Sequence, residues 1–370
     1  MPDAAYPAEP HPTMRQETMN RTNTERLLIE HPFAPYIRIL GKGRKGSRDM
    51  TFAEAYAAMR LMASGQTEPL QDGAFLMLLR VKEESAAELA GFVSAWREVL
   101  HSTEPATLNL HPDVDWASYA GKRRQLPWFV LSALLLAEHG IKVLMHGTSG
   151  FDPSRCFVPE TLQALELPLA GSIGEAGEQL AAGNFAFLSL DKFLPRLDAS
   201  MKLRPLLGLR SPVNTIARMI NPCNAAAMMQ GVFHPGYLHS QQQAAALLGF
   251  AQLAIIKGDG GEAELMPDRS CRVTLRLQSV DSEEEIAANL EGGRRDKVDG
   301  WPADQHLASA LPQLVGLWRG QTHSEYGTAA VIATAAMALR LHRQAQGEAL
   351  SQQQALQQAG AMWAAHCARF

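Results

Sequence analysis

Three clusters of cations are the residues of this chain whose type and spacing most readily do chemistry. Lys42, Arg44, Lys45 and Arg48 lie in and just after the run Gly41-Lys42-Gly43-Arg44-Lys45-Gly46. Lys122, Arg123 and Arg124 follow Tyr119-Ala120-Gly121. Lys202, Arg204 and Arg210 fall in MKLRPLLGLRSP, where Pro205 and Pro212 prevent one continuous helix. Side-chain cations on a flexible glycine backbone can bring several charges and N–H groups to phosphates at once. The second cluster also precedes an apolar helix starting near Pro127 and Trp128, whose N-terminal dipole would attract an anion. The chemistry predicted is electrostatic capture of phosphates along a groove, without reading base edges.

Three other motifs compete with that reading. Gly41 to Gly46 matches GxGxxG, and Tyr36 to Leu40 reads as a strand before it, but helical patterns follow where a dinucleotide fold needs a second strand with an acidic end. Gly258-Asp259-Gly260-Gly261-Glu262-Ala263-Glu264 follows a predicted strand. Asp259 and Glu262 there could offer oxygen ligands to Mg²⁺, although a polar turn at a strand end is the simpler reading. His146-Gly147-Thr148-Ser149-Gly150 lacks the GxSxG spacing of a hydrolase elbow.

The elements that would position these residues emerge from capping and periodicity. Thr51 with Glu54, and Ser85 with Glu88, are capping-box pairs opening helices that run to about Gly65 and Leu100, with a third helix from about Leu70 to Val81 between them. After Pro105 the texture changes. Trp128 to His139 reads as a buried helix and Ile141 to Met145 as a buried strand. Further strands are predicted at Phe185–Leu190, Ala227–Phe233, Leu253–Lys257 and Arg272–Leu277, interleaved with helices near 159–166, 174–182 and 238–250 and followed by helices near 305–318, 324–345 and 348–368. The fold class expected is α/β: a small N-terminal helical domain, 22–104 with part of 192–220, packed on a larger domain, 105–370, with a mainly parallel sheet. The Pro-rich residues 1–21 read as a mobile tail.

Composition bounds the function. The chain has 370 residues, 46% of them hydrophobic and 19% charged, and a net charge of -4, so any basic character must be local rather than global. Its four cysteines are scattered, with no CxxC pair, which argues against a zinc cage or a disulfide framework. No apolar run is long enough to span a bilayer. A cytoplasmic protein without a membrane role is the expectation.

The stretch TFAEAYAAMRLMASGQTEPLQDGAFLMLLRVKEESAAELAGF resembles the N-terminal helical domain of anthranilate phosphoribosyltransferases, and the likeness continues through EHGIKVLMHG, LRPLLGLRSPVNTIARMINP, KGDGGE and AAVIATAAMALR. The resemblance implies a nucleoside phosphorylase/phosphoribosyltransferase-like glycosyltransferase family 3 fold. It also implies what has been lost. Where the family carries a GTGGD loop for pyrophosphate, this chain reads WASYAGKRRQLPW; KHGNR has become Met145-His146-Gly147-Thr148-Ser149, leaving His146, Gly147 and the carboxylate-pairing Arg204 as a residual substrate site; and the acidic Mg²⁺ turn survives only in part at Asp259 and Glu262. The basic segment Ile39 to Met50 is similar to the YbiB-like branch of the family, which implies a homodimer binding DNA or RNA without sequence preference and without a cofactor. No catalytic residue is expected. The alternative is an active pentosyltransferase using phosphoribosyl pyrophosphate and Mg²⁺.

Overall fold

Residues 30–148, 150, 152, 154–287 and 307–370 are described by the structure, a computed structural model. The tail at 1–21, Ser149 and the first residues of the helix expected at 305–318 lie outside the described residues.

Local capping starts the helical domain as the sequence requires. Thr51 Oγ1 accepts from the Glu54 N–H at 3.2 Å and opens helix Phe52–Ala63, and Ser85 does the same for helix Ala86–Thr103. Helix Pro69–Lys82 lies between them in sequence. Glu88 ties the basic segment to this frame: its buried carboxylate accepts from the Met50 N–H at 2.9 Å and from Lys82 Nζ at 2.7 Å. Tyr36 to Leu40 is not a strand. It lies in helix Ala34–Gly41, with Pro35 in the first turn and Phe33 packed edge-on against Phe75 at 5.0 Å. Phe33, Ile37 and Leu40 face inward at helical spacing, a period that a five-residue apolar run cannot reveal.

The larger domain is built on one seven-stranded sheet in the order β3-β2-β1-β4-β5-β6-β7. The strands are β1 Val114–Ser118, β2 Val143–Gly147, β3 Phe185–Ser189, β4 Ala227–Val232, β5 Gln252–Lys257, β6 Cys271–Leu277 and β7 Val280–Ile286. The first five are parallel, and β6 and β7 turn back antiparallel. Alternation assigns the two faces. Val114, Trp116, Val143 and Met145 join a core with helix Trp128–Glu138 and the C-terminal helices, whereas Ala117, Leu144, Ala186 and Leu188 join a second core continuous with the helical domain. Both faces are covered, as a parallel sheet demands. Among the described residues no helix is long and apolar enough to cross a membrane.

Candidate phosphate-binding cleft

A cleft of about 520 Å³ opens where β1 and β2 end, the end of a parallel sheet at which ligands bind in such folds. Its walls include Tyr119, Ala120, Thr148, Asp152, Arg155 and Asn214, with Arg204 and Arg210 from the segment after the short helix Pro195–Met201. Arg155 is fixed by donating to the Ala120 and Gly121 carbonyls at 2.9 and 3.0 Å and to Asp152 at 3.2 Å. Burial, and then the charges of Arg155, Arg218 and Arg204, pull the Arg210 guanidinium down to about 10. A guanidinium lowered by its like-charged neighbours marks a ready place for an anion. Arg155 and Arg218 escaped the sequence reading because neither stands in a run of cations. Lys202 does not join the cleft wall, and its ammonium is 2.5 Å from Asp198, one helical turn back.

The loop after β1 departs most from expectation. Lys122 is fully buried, so it cannot form an exposed cluster with Arg123 and Arg124, which alone of the three face solvent. Its ammonium lies 2.6 Å from Glu264 and 3.8 Å from Asp259. Burial works to lower its pKa, but the charges of Glu264, Asp259 and Glu262 outweigh that and raise it. The start of helix Trp128–Glu138 does hold an anion, and that anion is internal: Glu264 Oε2 accepts from the Phe129 N–H at 2.9 Å. Glu262 Oε1 likewise accepts from the Ala120 and Gly121 N–H groups at 2.7 and 2.5 Å. Two carboxylates of the chain therefore sit on the backbone donors that an external phosphate would need.

This arrangement does not fit the Mg²⁺ of the alternative reading. Asp259 Oδ2 and Glu262 Oε2 lack hydrogen-bond partners, but the positive charge they face is the buried Lys122 ammonium, and a dication would meet that like charge in a dry setting. Among the described residues no group of three His, Cys, Asp or Glu side chains is placed to hold a metal.

His146 and Gly147 are not cleft residues either. His146 is buried, sharing a 2.7 Å hydrogen bond through Nδ1 with the Tyr119 hydroxyl and approaching Asp115 through Nε2 at 3.3 Å. Gly147 is required by packing, since a Cβ there would come within 2.1 Å of the Ser118 carbonyl oxygen. Tyr119, unremarked in the sequence, is the member of this chain of contacts that reaches the cleft. Burial, reinforced by Asp115, raises its phenol well above the usual range, so it remains a neutral hydrogen-bonding wall.

Lys42, Arg44 and Lys45 are exposed in the turn after helix Ala34–Gly41. Arg48 is exposed but already committed, binding both oxygens of Glu54 at 2.8 and 2.7 Å. Hydrogen bonds from Arg48 first, then from the Thr51 backbone, pull the Glu54 carboxyl down to about 2. A depressed carboxylate lends stability above its ordinary pKa of 4.5 and loses it as pH falls through about 2. Carboxyl NMR should therefore place the Glu54 midpoint near 2 in the wild type and back towards the ordinary value in Arg48→Ala. The same variant should leave phosphate affinity nearly unchanged, because its guanidinium is already held by both Glu54 oxygens.

A glycosyl transferase family helical bundle domain matches residues 34–99, and the family's a/b domain matches residues 128–363. The chain belongs to the anthranilate phosphoribosyltransferase-like glycosyl transferase family. Within this family it is 27% identical over 241 residues to the uncharacterized protein YbiB of Escherichia coli, covering 65% of this chain and 74% of that one. It is 30% identical over 233 residues to the anthranilate phosphoribosyltransferase of Oleidesulfovibrio alaskensis, covering 63% and 69% of the two chains. The crystal structure of anthranilate phosphoribosyltransferase from Thermus thermophilus superposes with a TM-score of 0.72 at 22% identity over 92% of this chain and 96% of that one, a likeness of fold. The family's two-domain architecture is thus retained around a loop, Tyr119 to Lys122, whose donors are satisfied from within.

Proposed function

We propose that the chain binds nucleic-acid phosphates electrostatically on this family scaffold, without sequence preference and without a cofactor. One observation carries the reading: Arg155, Arg204 and Arg210 converge on a cleft that also holds Asp152, while the neighbouring carboxylates are turned inward onto Lys122 and the loop N–H groups. Guanidiniums suit this task because their planar fork matches a phosphate and stays charged. Lys42, Arg44, Lys45, Arg123 and Arg124 extend the positive surface on exposed loops.

A second copy of the chain would double the number of clefts and strengthen binding through effective concentration. Leu70 and Leu206 are each more than four-fifths exposed. Their segments adjoin where Leu207 approaches Gly73, so a homodimer covering this side is part of the proposal.

Fluorescence polarisation of labelled DNA and RNA oligonucleotides, titrated with salt, tests the function. Affinity should fall with a log–log slope of several units, about 0.9 for each duplex phosphate neutralised, equally for unrelated sequences and equally with a chelator present. Undetectable binding at low salt, or a flat salt response, refutes the proposal. So does turnover of phosphoribosyl pyrophosphate and anthranilate with Mg²⁺.

A further inference from the structure

Beside the arginine cleft, β4 ends in a group of aromatic rings that the proposed function has not used. We infer that Phe233, His234 and Tyr237 form a stacking shelf for the bases of a single-stranded nucleic acid, an inference that rests on the phosphate-binding reading above and gives it a substrate class. Phe233 is 51% exposed, so its ring is not a core residue. It meets the exposed His234 ring edge-on at a centroid distance of 4.7 Å, and His234 lies 6.5 Å from Tyr237.

Two cations accompany the rings. The Lys257 ammonium lies 5.7 Å from the Phe233 centroid, and Arg80, from the helical domain, donates to the Tyr237 hydroxyl at 3.0 Å. Scattered exposed apolar residues are ordinary. Three neighbouring rings flanked by a lysine and an arginine, at the ligand-binding end of a parallel sheet, are the pairing that single strands use: bases stack on the rings while cations track the backbone. A duplex keeps its bases within its own stack and cannot use such a shelf.

Position favours the same occupant. A side chain at Gly261 would meet Phe233 Cβ at 3.3 Å, and one at Gly260 would lie 3.5 Å from Arg155 Nη1. The tight turn at 258–262 thus packs against Phe233 on one side and Arg155 on the other, so the rings and the cleft adjoin across it. One strand could lay phosphates towards the arginines and bases on the rings.

The test uses the full chain with a short oligonucleotide carrying 2-aminopurine, offered as a single strand and as a duplex. Wild type should quench the single-strand fluorescence on binding, as stacking does, and leave the duplex signal unchanged. Phe233→Ala should weaken single-strand binding roughly five- to a hundredfold, the range for losing a stacked base, with duplex affinity and salt slope retained. Phe233→Trp should restore both quenching and affinity. Equal losses for single strand and duplex, or no loss for either, would overturn the shelf while leaving the electrostatic reading standing. Failure of the wild type to bind either form would overturn both.

Discussion

Replacing Arg204 and Arg210 together by glutamine should weaken nucleic-acid binding about 30- to 1,000-fold at low salt, because each charged hydrogen bond to phosphate is worth roughly 1.5–3 kcal/mol and the two are not fully additive. The log–log salt slope should fall by about two, one for each phosphate contact removed. Stability should move the other way. The Arg210 guanidinium is pulled down to about 10 because the fold buries it and surrounds it with like charges, so its charged form is disfavoured in the folded state and removing it relieves that repulsion. A thermal melt beside the polarisation assay checks both signs, and a variant that binds normally removes the cleft from the mechanism.

Lys122→Met should produce the largest loss of stability, about 3–5 kcal/mol in a urea titration, because it strands Glu264 as an unpaired charge in the interior. Glu264 would then be driven towards its protonated form, which burial already favours. Lys122→Met combined with Glu264→Leu should recover much of that loss, since an apolar pair avoids burying charge. Arg123→Ala with Arg124→Ala should behave oppositely, leaving stability within about 0.5 kcal/mol and lowering affinity for every sequence alike. If Lys122→Met unfolds at the wild-type urea midpoint, the buried pair is not the keystone of this loop.

The contrast between Lys122 and its neighbours shows how far the sequence could be read. Thr51 with Glu54 and Ser85 with Glu88 announced their helices because a capping box is complete within four residues. Family motifs running through most of the chain announced the sheet and the domain order. What a cation does is decided elsewhere: Lys122 and Glu264 are 142 residues apart, and nothing local distinguishes a lysine that will be buried from the exposed arginine beside it. β1 was illegible because Asp115 and Ser118 interrupt its apolar pattern, although all five of its residues are buried. β7 was hidden by its run of exposed acids, for which Arg272, Arg276 and Arg340 supply the partners. Arg155 was overlooked for a simpler reason, since a single arginine carries no pattern and its role comes from the Ala120 and Gly121 carbonyls that aim it.

Glu262 and Glu264, by occupying the Ala120, Gly121 and Phe129 donors, also fix that side of the cleft in advance. A receptor whose walls are held in place before its guest arrives surrenders little configurational freedom on capture. Encounter should then be governed by long-range attraction, fast in dilute buffer and slowed steeply by added ions, with no lag for a lid or loop to settle.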